Sequence, residues 1–147
     1  MNHVHLNQKF KKIIAAFSIG IFVCSLTQKC FCTTTSCGGS IMALFSGTIG
    51  FLFGGAALTW LANPLLILSW FTMKNAKRSL ICSLFAVLIS LSFLLFKTVI
   101  SDEAGNYSLI VSRQLGYWLW VTSSSIMLIG NTVFYFVNHT SDASGNG

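Results

Sequence analysis

TWLANPLLILSW, residues 59–70, interrupts the longest apolar run of the chain, about 41–71. As one straight helix that run would be roughly 46 Å long at 1.5 Å per residue, too long for one hydrocarbon core of about 30 Å and too short for two crossings. Pro64 has no N–H to offer the carbonyl of Trp60, and it biases Asn63 away from helical geometry. Asn63 and Pro64 are therefore expected to kink the helix, or to end a span near Ala62 and send the next segment along the membrane surface toward Lys74.

Three more apolar blocks surround this one, at about 13–26, 80–96 and 115–137. A crossing takes about 20 apolar residues, so the last two fit one crossing each. The first reaches that length if Lys11 and Lys12 snorkel at one end and Thr27 and Gln28 extend the other. Of the 147 residues 54% are hydrophobic and 8% charged, where a soluble domain carries roughly a quarter charged residues. Lipid is expected to cover most of the surface.

The fold expected is thus an all-α integral membrane protein: one domain over 1–147, four transmembrane helices in a compact bundle, and a disordered tail at 138–147. The spans are about 11–28, 41–71 kinked at 63–64, 79–98 and 114–137. A cleaved signal peptide is the rival reading of the first block, because KFKKIIAAFSIGIFVCSL (9–26) has a basic start and a short apolar core. No A-x-A-like site follows it, and Lys29 spoils a lipoprotein box at Cys30.

Lys9, Lys11 and Lys12 precede the first block and Lys74, Lys77 and Arg78 separate the second from the third, while the other connections carry only Lys29, Lys97 and Arg113. The positive-inside rule then puts both termini in the cytoplasm and Asp102 and Glu103 outside. Short loops suit a plasma membrane of the bacterial inner-membrane kind. The net charge of +6 is dispersed in ones to threes, which matches phospholipid headgroups rather than nucleic acid.

QKCFCTTTSCGGS (28–40) falls on the outer, oxidising side with Cys30, Cys32 and Cys37, and Cys24 ends the block before it. Four thiols allow three pairings. A Cys30–Cys32 bond would close a tiny ring, so Cys37 with either of them is the easier bond, and either staples the turn. TVISDEAGNYSLIV (98–111) places β-branched or apolar runs on both sides of a polar turn at 102–106, the pattern of a small outer β-hairpin. Two strands alone are marginal in water, so the hairpin needs the cysteine turn or a partner to lean on.

Ser46, Gly50 and Gly54 recur every fourth residue, a small face that lets helix backbones approach. Ser79, Ser83, Ala86 and Ser90 form a second bundle-facing stripe, and Ser123, Ser124, Ser125 and Asn131 are polar groups at membrane depth. Tyr117, Trp118 and Trp120 are expected as interface anchors in the outer aromatic belt.

No acidic, basic or histidine side chain stands in the middle of a block, which disfavours proton-coupled carriers. His3, His5 and His139 lie outside the blocks and cannot bracket a haem, and zinc at Cys30, Cys32 and Cys37 would want a fourth ligand. No catalytic residue, metal or cofactor is expected. The leading expectation is a protein that acts by binding, as an accessory, assembly or immunity-type subunit of a larger membrane complex. Its partners would be the lipid bilayer and a membrane protein or a second copy, not nucleic acid.

An outer-face thiol-disulfide oxidoreductase is the alternative. The chain is similar to four-span disulfide-forming membrane enzymes in span number and outer cysteines, but it has CFC and CTTTSC where they would have C-x-x-C. A small oligomeric pore or carrier is the third reading, resting on the kink, Asn131 and the serine run.

Overall fold

The computed structural model describes residues 2–100 and 106–144. In chain order it has α1 (Asn2–Leu26), β1 (Lys29–Thr33), β2 (Cys37–Gly39), α2 (Ser40–Gly50), α3 (Ala62–Phe71), α4 (Ala76–Ser92), β3 (Thr98–Ile100), β4 (Tyr107–Arg113) and α5 (Leu115–Ser144). Short 3₁₀ segments at Phe51–Phe53, Gly55–Leu61 and Phe93–Leu95 link or extend the helices.

This corrects the expected four-span all-α bundle. Among the described residues two helical stretches are long and apolar enough to cross a membrane, Ala76–Leu95 and Leu115–Val137. A third is reached only if Ser40–Gly50 and Gly55–Phe71, bent by 103°, form one broken span. α1 falls short because its uncharged part, 13–26, is about 21 Å long, with Lys9, Lys11 and Lys12 immediately before it. At the other end the helix runs on to Ser144 over most of the expected tail, since no Gly or Pro stops it before Gly145.

The bend is also displaced from its expected place. Gly54 and Gly55 carry it, with φ of 77° and 62°, values that side-chain-bearing residues rarely adopt. Pro64 sits in the first turn of α3, where a missing N–H costs little. It marks the change from 3₁₀ to α winding.

The two connections at one end of the helices merge into a single antiparallel sheet, of order β2-β1-β4-β3. Cys32 stands opposite Cys37 in the β1–β2 ladder and is bonded to it. Phe31 pairs with Arg113 and Cys32 with Ser112, so the cysteine turn docks on β4, while Thr98–Ile100 pair with Tyr107–Leu109 to make the hairpin. The polar turn at 102–106 lies, except for Asn106, outside the described residues. Arg113 donates from Nη2 to the carbonyls of Leu94 (3.0 Å) and Phe96 (3.1 Å), a cation satisfying the free carbonyls at the end of α4.

Two apolar clusters hold these parts together. Phe22, Leu66, Ala86 and Met127 join α1, α3, α4 and α5. Ala56, Phe93, Tyr117 and Val121 sit beneath the sheet, packed by Phe31, Val99 and Ile110. Polar clasps join the helices as well: Ser18 and Ser123 each donate to the other's backbone carbonyl, at 2.9 and 2.8 Å. Ser69 and Ser79 do the same at 3.0 and 2.8 Å. Trp70 Nε1 donates to Ser18 Oγ at 3.1 Å and so links the two clasps through α3.

Small hydroxyl side chains share the interior with the apolar clusters, and many large apolar side chains stand outside. Ser18, Ser25, Ser69, Ser79, Ser83, Ser90, Ser123 and Ser124 are almost completely buried, while Phe17, Phe45, Ile49, Leu52, Phe71, Leu95 and Ile129 are more than half exposed. Small polar side chains let helices approach and bond across the contact, and the bulky apolar ones are left facing outward.

Candidate functional site

Below the sheet, between α2 with its returning 3₁₀ segment on one side and α5 on the other, lies a cleft of about 610 Å³. That volume is within the range of small-molecule sites, roughly 300–1,000 Å³. The bend at Gly54 and Gly55 makes it, by folding Gly55–Leu61 back beside α2. Gly47 permits the close return: a Cβ there would run into the Trp60 indole, with Cγ only 2.7 Å away. The indole is fixed in turn, donating from Nε1 to the Leu44 carbonyl at 2.7 Å and stacking on Phe51 at 5.6 Å.

The cleft wall is mostly apolar, with Phe22, Phe31, Trp60 and Phe93 among its lining. Neutral polar groups interrupt it: the hydroxyls of Ser25, Ser46, Thr59 and Tyr117 each donate to a backbone carbonyl, while Cys30, Ser40, Asn63 and Trp120 do not. Ser40 is 8% exposed and its Oγ has no hydrogen-bond partner of proper geometry; the buried Nε1 of Trp120 has none either. Asn63 is 7% exposed, and no hydrogen bond within the described residues reaches its carboxamide. A buried polar group left unpaired costs about 1–3 kcal/mol.

Burial pushes the Cys30 thiol from its ordinary 9.0 up to about 11, the neighbouring Ser40 hydroxyl pulling slightly the other way. At pH 8 the folded protein is expected to carry about a hundredfold less Cys30 thiolate than the unfolded chain, and iodoacetamide to alkylate it correspondingly more slowly. Peptide mapping of alkylated protein before and after dodecyl sulfate reads this directly. Because the folded protein keeps this proton to a higher pH than the unfolded chain, Cys30 leaves stability unchanged below about pH 9 and lowers it between about 9 and 11.

The residues singled out from sequence are distributed as follows. Of the cysteines, Cys32 and Cys37 are bonded, Cys30 faces the cleft, and Cys24 is exposed and free. Ser46 and Gly50 line the cleft, Gly50 with its Cβ position 3.4 Å from Ala57, while Gly54 is the hinge. The small face thus serves the chain's own return, together with Gly47. Asn63 is brought into the cleft and Pro64 is not.

Among the expected anchors only Trp118, 49% exposed, faces outward. Tyr117 is fully buried and donates from its hydroxyl to the Ser90 carbonyl at 3.1 Å. Trp120 turns its indole N–H inward. Ser40, Gly47 and Trp60 were not foreseen; a lone serine opening a helix and a glycine beside the expected stripe carry no distinguishing local signal. No group of three metal-ligating side chains is found among the described residues.

Comparison with protein-family models, curated proteins and solved structures finds no match. The function must be argued from the chain itself.

Proposed function

We propose that this is an integral membrane protein that acts by binding, as an accessory subunit of a larger membrane assembly. The outer surface carries the reading: buried serines occupy many of the helix contacts, and large apolar side chains cover the outside of α2, α4 and α5. In water such a surface would aggregate, since monomeric soluble proteins rarely expose large contiguous apolar areas; in lipid it is solvated. Ala76–Leu95 and Leu115–Val137 are the crossings in this proposal, with α1 and the bent pair laid against them.

Lys9, Lys11, Lys12, Lys74, Lys77 and Arg78 cluster at the end away from the sheet, and the positive-inside rule assigns that end to the cytoplasm. The sheet then stands on the outer side, with Tyr107, Leu109 and Val111 exposed along one face of β4 at 57–68%. An apolar row where the proposal puts water suits contact with a partner protein. Cys30 is a poor candidate for the attacking group of a thiol-disulfide exchange, because its buried thiol is held up at about 11.

The test is an alkaline wash of membranes followed by mild extraction into native lipid particles and intact mass measurement. The expected result is retention through the wash and one stoichiometric protein companion, lost when Leu109 and Val111 are both changed to serine. Release by the wash overturns membrane integration, and a lone protein overturns the accessory role.

A further inference from the structure

We propose that the cleft binds an uncharged amphipathic lipid, its apolar chain lying along Phe22, Phe31, Trp60 and Phe93 and its hydroxyl or carbonyl oxygen meeting Ser40, Asn63 and Trp120. The proposal rests on the membrane reading above and adds to it the ligand and its place. Trp120 Nε1 is a donor only, so it requires an acceptor atom. Ser40 and Asn63 can each donate and accept, and both are more than nine-tenths buried in the wall; Ser40 Oγ, beside the Cys30 thiol, has no hydrogen bond of proper geometry, and none within the described residues reaches the Asn63 carboxamide. A plain hydrocarbon would leave all three unsatisfied.

The described residues lining the cleft include no Lys, Arg, Asp, Glu or His. A charged head group would have no counter-charge there, and burying an unpaired charge is strongly disfavoured. Cys30 is a further neutral polar group in the wall. The chemistry selected is thus an oxygen-bearing but uncharged head on one apolar chain. A transmembrane segment of a partner protein is the competing occupant, and most of its length would present no oxygen to these three side chains.

Photo-crosslinking on the full-length protein in native membranes tests this. Three diazirine-bearing probes of equal chain length are compared: a monoacylglycerol, a fatty acid at pH 8, and an alkane. The monoacylglycerol is expected to label peptides containing Trp60 or Trp120, with the ionised fatty acid and the alkane labelling them about tenfold less, the equivalent of one lost hydrogen bond. Trp120→Phe, which keeps the ring and removes the donor, is expected to lower monoacylglycerol labelling about tenfold while the thermal transition stays in place. Equal labelling by all three probes overturns the proposal, since the cleft would then be an apolar recess without head-group recognition. Labelling confined to outward residues such as Phe45 and Leu52 overturns it as well, as does displacement of the probe by a co-purifying protein. Protein that survives the alkaline wash yet shows either pattern loses the lipid site and keeps the membrane reading; protein that is washed off loses both.

Discussion

Gly116→Val is expected to yield almost no monodisperse protein, and Gly116→Ala to cost at least about 2 kcal/mol, the middle of the range for forcing extra atoms into a filled interior. A Cβ on Gly116 would collide with Ser40 Oγ and stand 2.7 Å from the Lys29 carbonyl oxygen. Backbone cannot step aside as a flexible side chain does. Lys29 pairs with Gly39 in the sheet, the Ser40 N–H donates to the Gln28 carbonyl at 2.9 Å, and the Gln114 N–H donates to the Cys30 carbonyl at 2.9 Å. The first turn of α5, strand β1 and the start of α2 therefore meet at one point, and that point closes one end of the cleft. Gly20→Ala is the matched control, because nothing lies within 4 Å of its Cβ position, and a helical Gly→Ala exchange there should be neutral or slightly stabilising. Thermal unfolding in detergent, followed by size-exclusion chromatography, reads both. A Gly116→Ala protein melting with the parent would show that the junction has slack, and the contact would lose its structural role.

The parts of this fold that were legible in sequence are those set by neighbours a few residues apart. Ser79, Ser83 and Ser90 recur at helical spacing and are buried as that spacing implies. The runs on either side of the 102–106 turn pair as β3 and β4. Cys37 was preferred over a Cys30–Cys32 bond for reasons of ring size, and Cys32–Cys37 is the pair formed.

What was not legible depends on contacts between distant segments. The hairpin does lean on the cysteine turn, as its need for support implies, but the register that sets Phe31 opposite Arg113 joins segments some eighty residues apart, and no local pattern announces it. Pro64 outranked Gly54 and Gly55 as a breaker because its effect is intrinsic. The glycines bend the chain only because Trp60 has a place beside Gly47 to return to. Tyr117 and Trp120 look like belt residues by composition, but they pack beneath the four-stranded sheet, whose full extent over them the sequence does not show. The site shows this most: Asn63, which the sequence marks as part of a kink, is a wall residue of the cleft.

Asn131 offers the sharpest test of the polar interior. From α5 its Nδ2 shares two protons among Ser69 Oγ (3.2 Å), the Ser79 carbonyl (3.1 Å) and Ser83 Oγ (3.0 Å). It thereby ties α5 to the serine clasp between α3 and α4. Hydrogen bonds between helices in membrane proteins average about 0.6 kcal/mol, and the carboxamide has two protons to give, so Asn131→Leu, which keeps the branched heavy-atom skeleton, should cost about 1 kcal/mol or more at every pH. Its former acceptors keep other partners: Ser69 and Ser79 still bond each other, and Ser83 Oγ donates to the Leu80 carbonyl at 3.0 Å. Asn131→Asp should behave differently. A carboxylate in that place would face the Ser79 carbonyl and have no cation beside it, so the folded state holds the acid protonated. The unfolded chain releases that proton above about pH 4, hence the folded form binds more protons and loses stability steadily as pH rises through neutrality. The expected penalty at pH 7 is about 3 kcal/mol or more, exceeding that of the leucine variant, and it should shrink to the leucine value or below at pH 4. Melting temperatures of the two variants against pH decide the matter: a steep line for Asp and a flat one for Leu place Asn131 in a dry polar interior, whereas two parallel lines would mean that water reaches it.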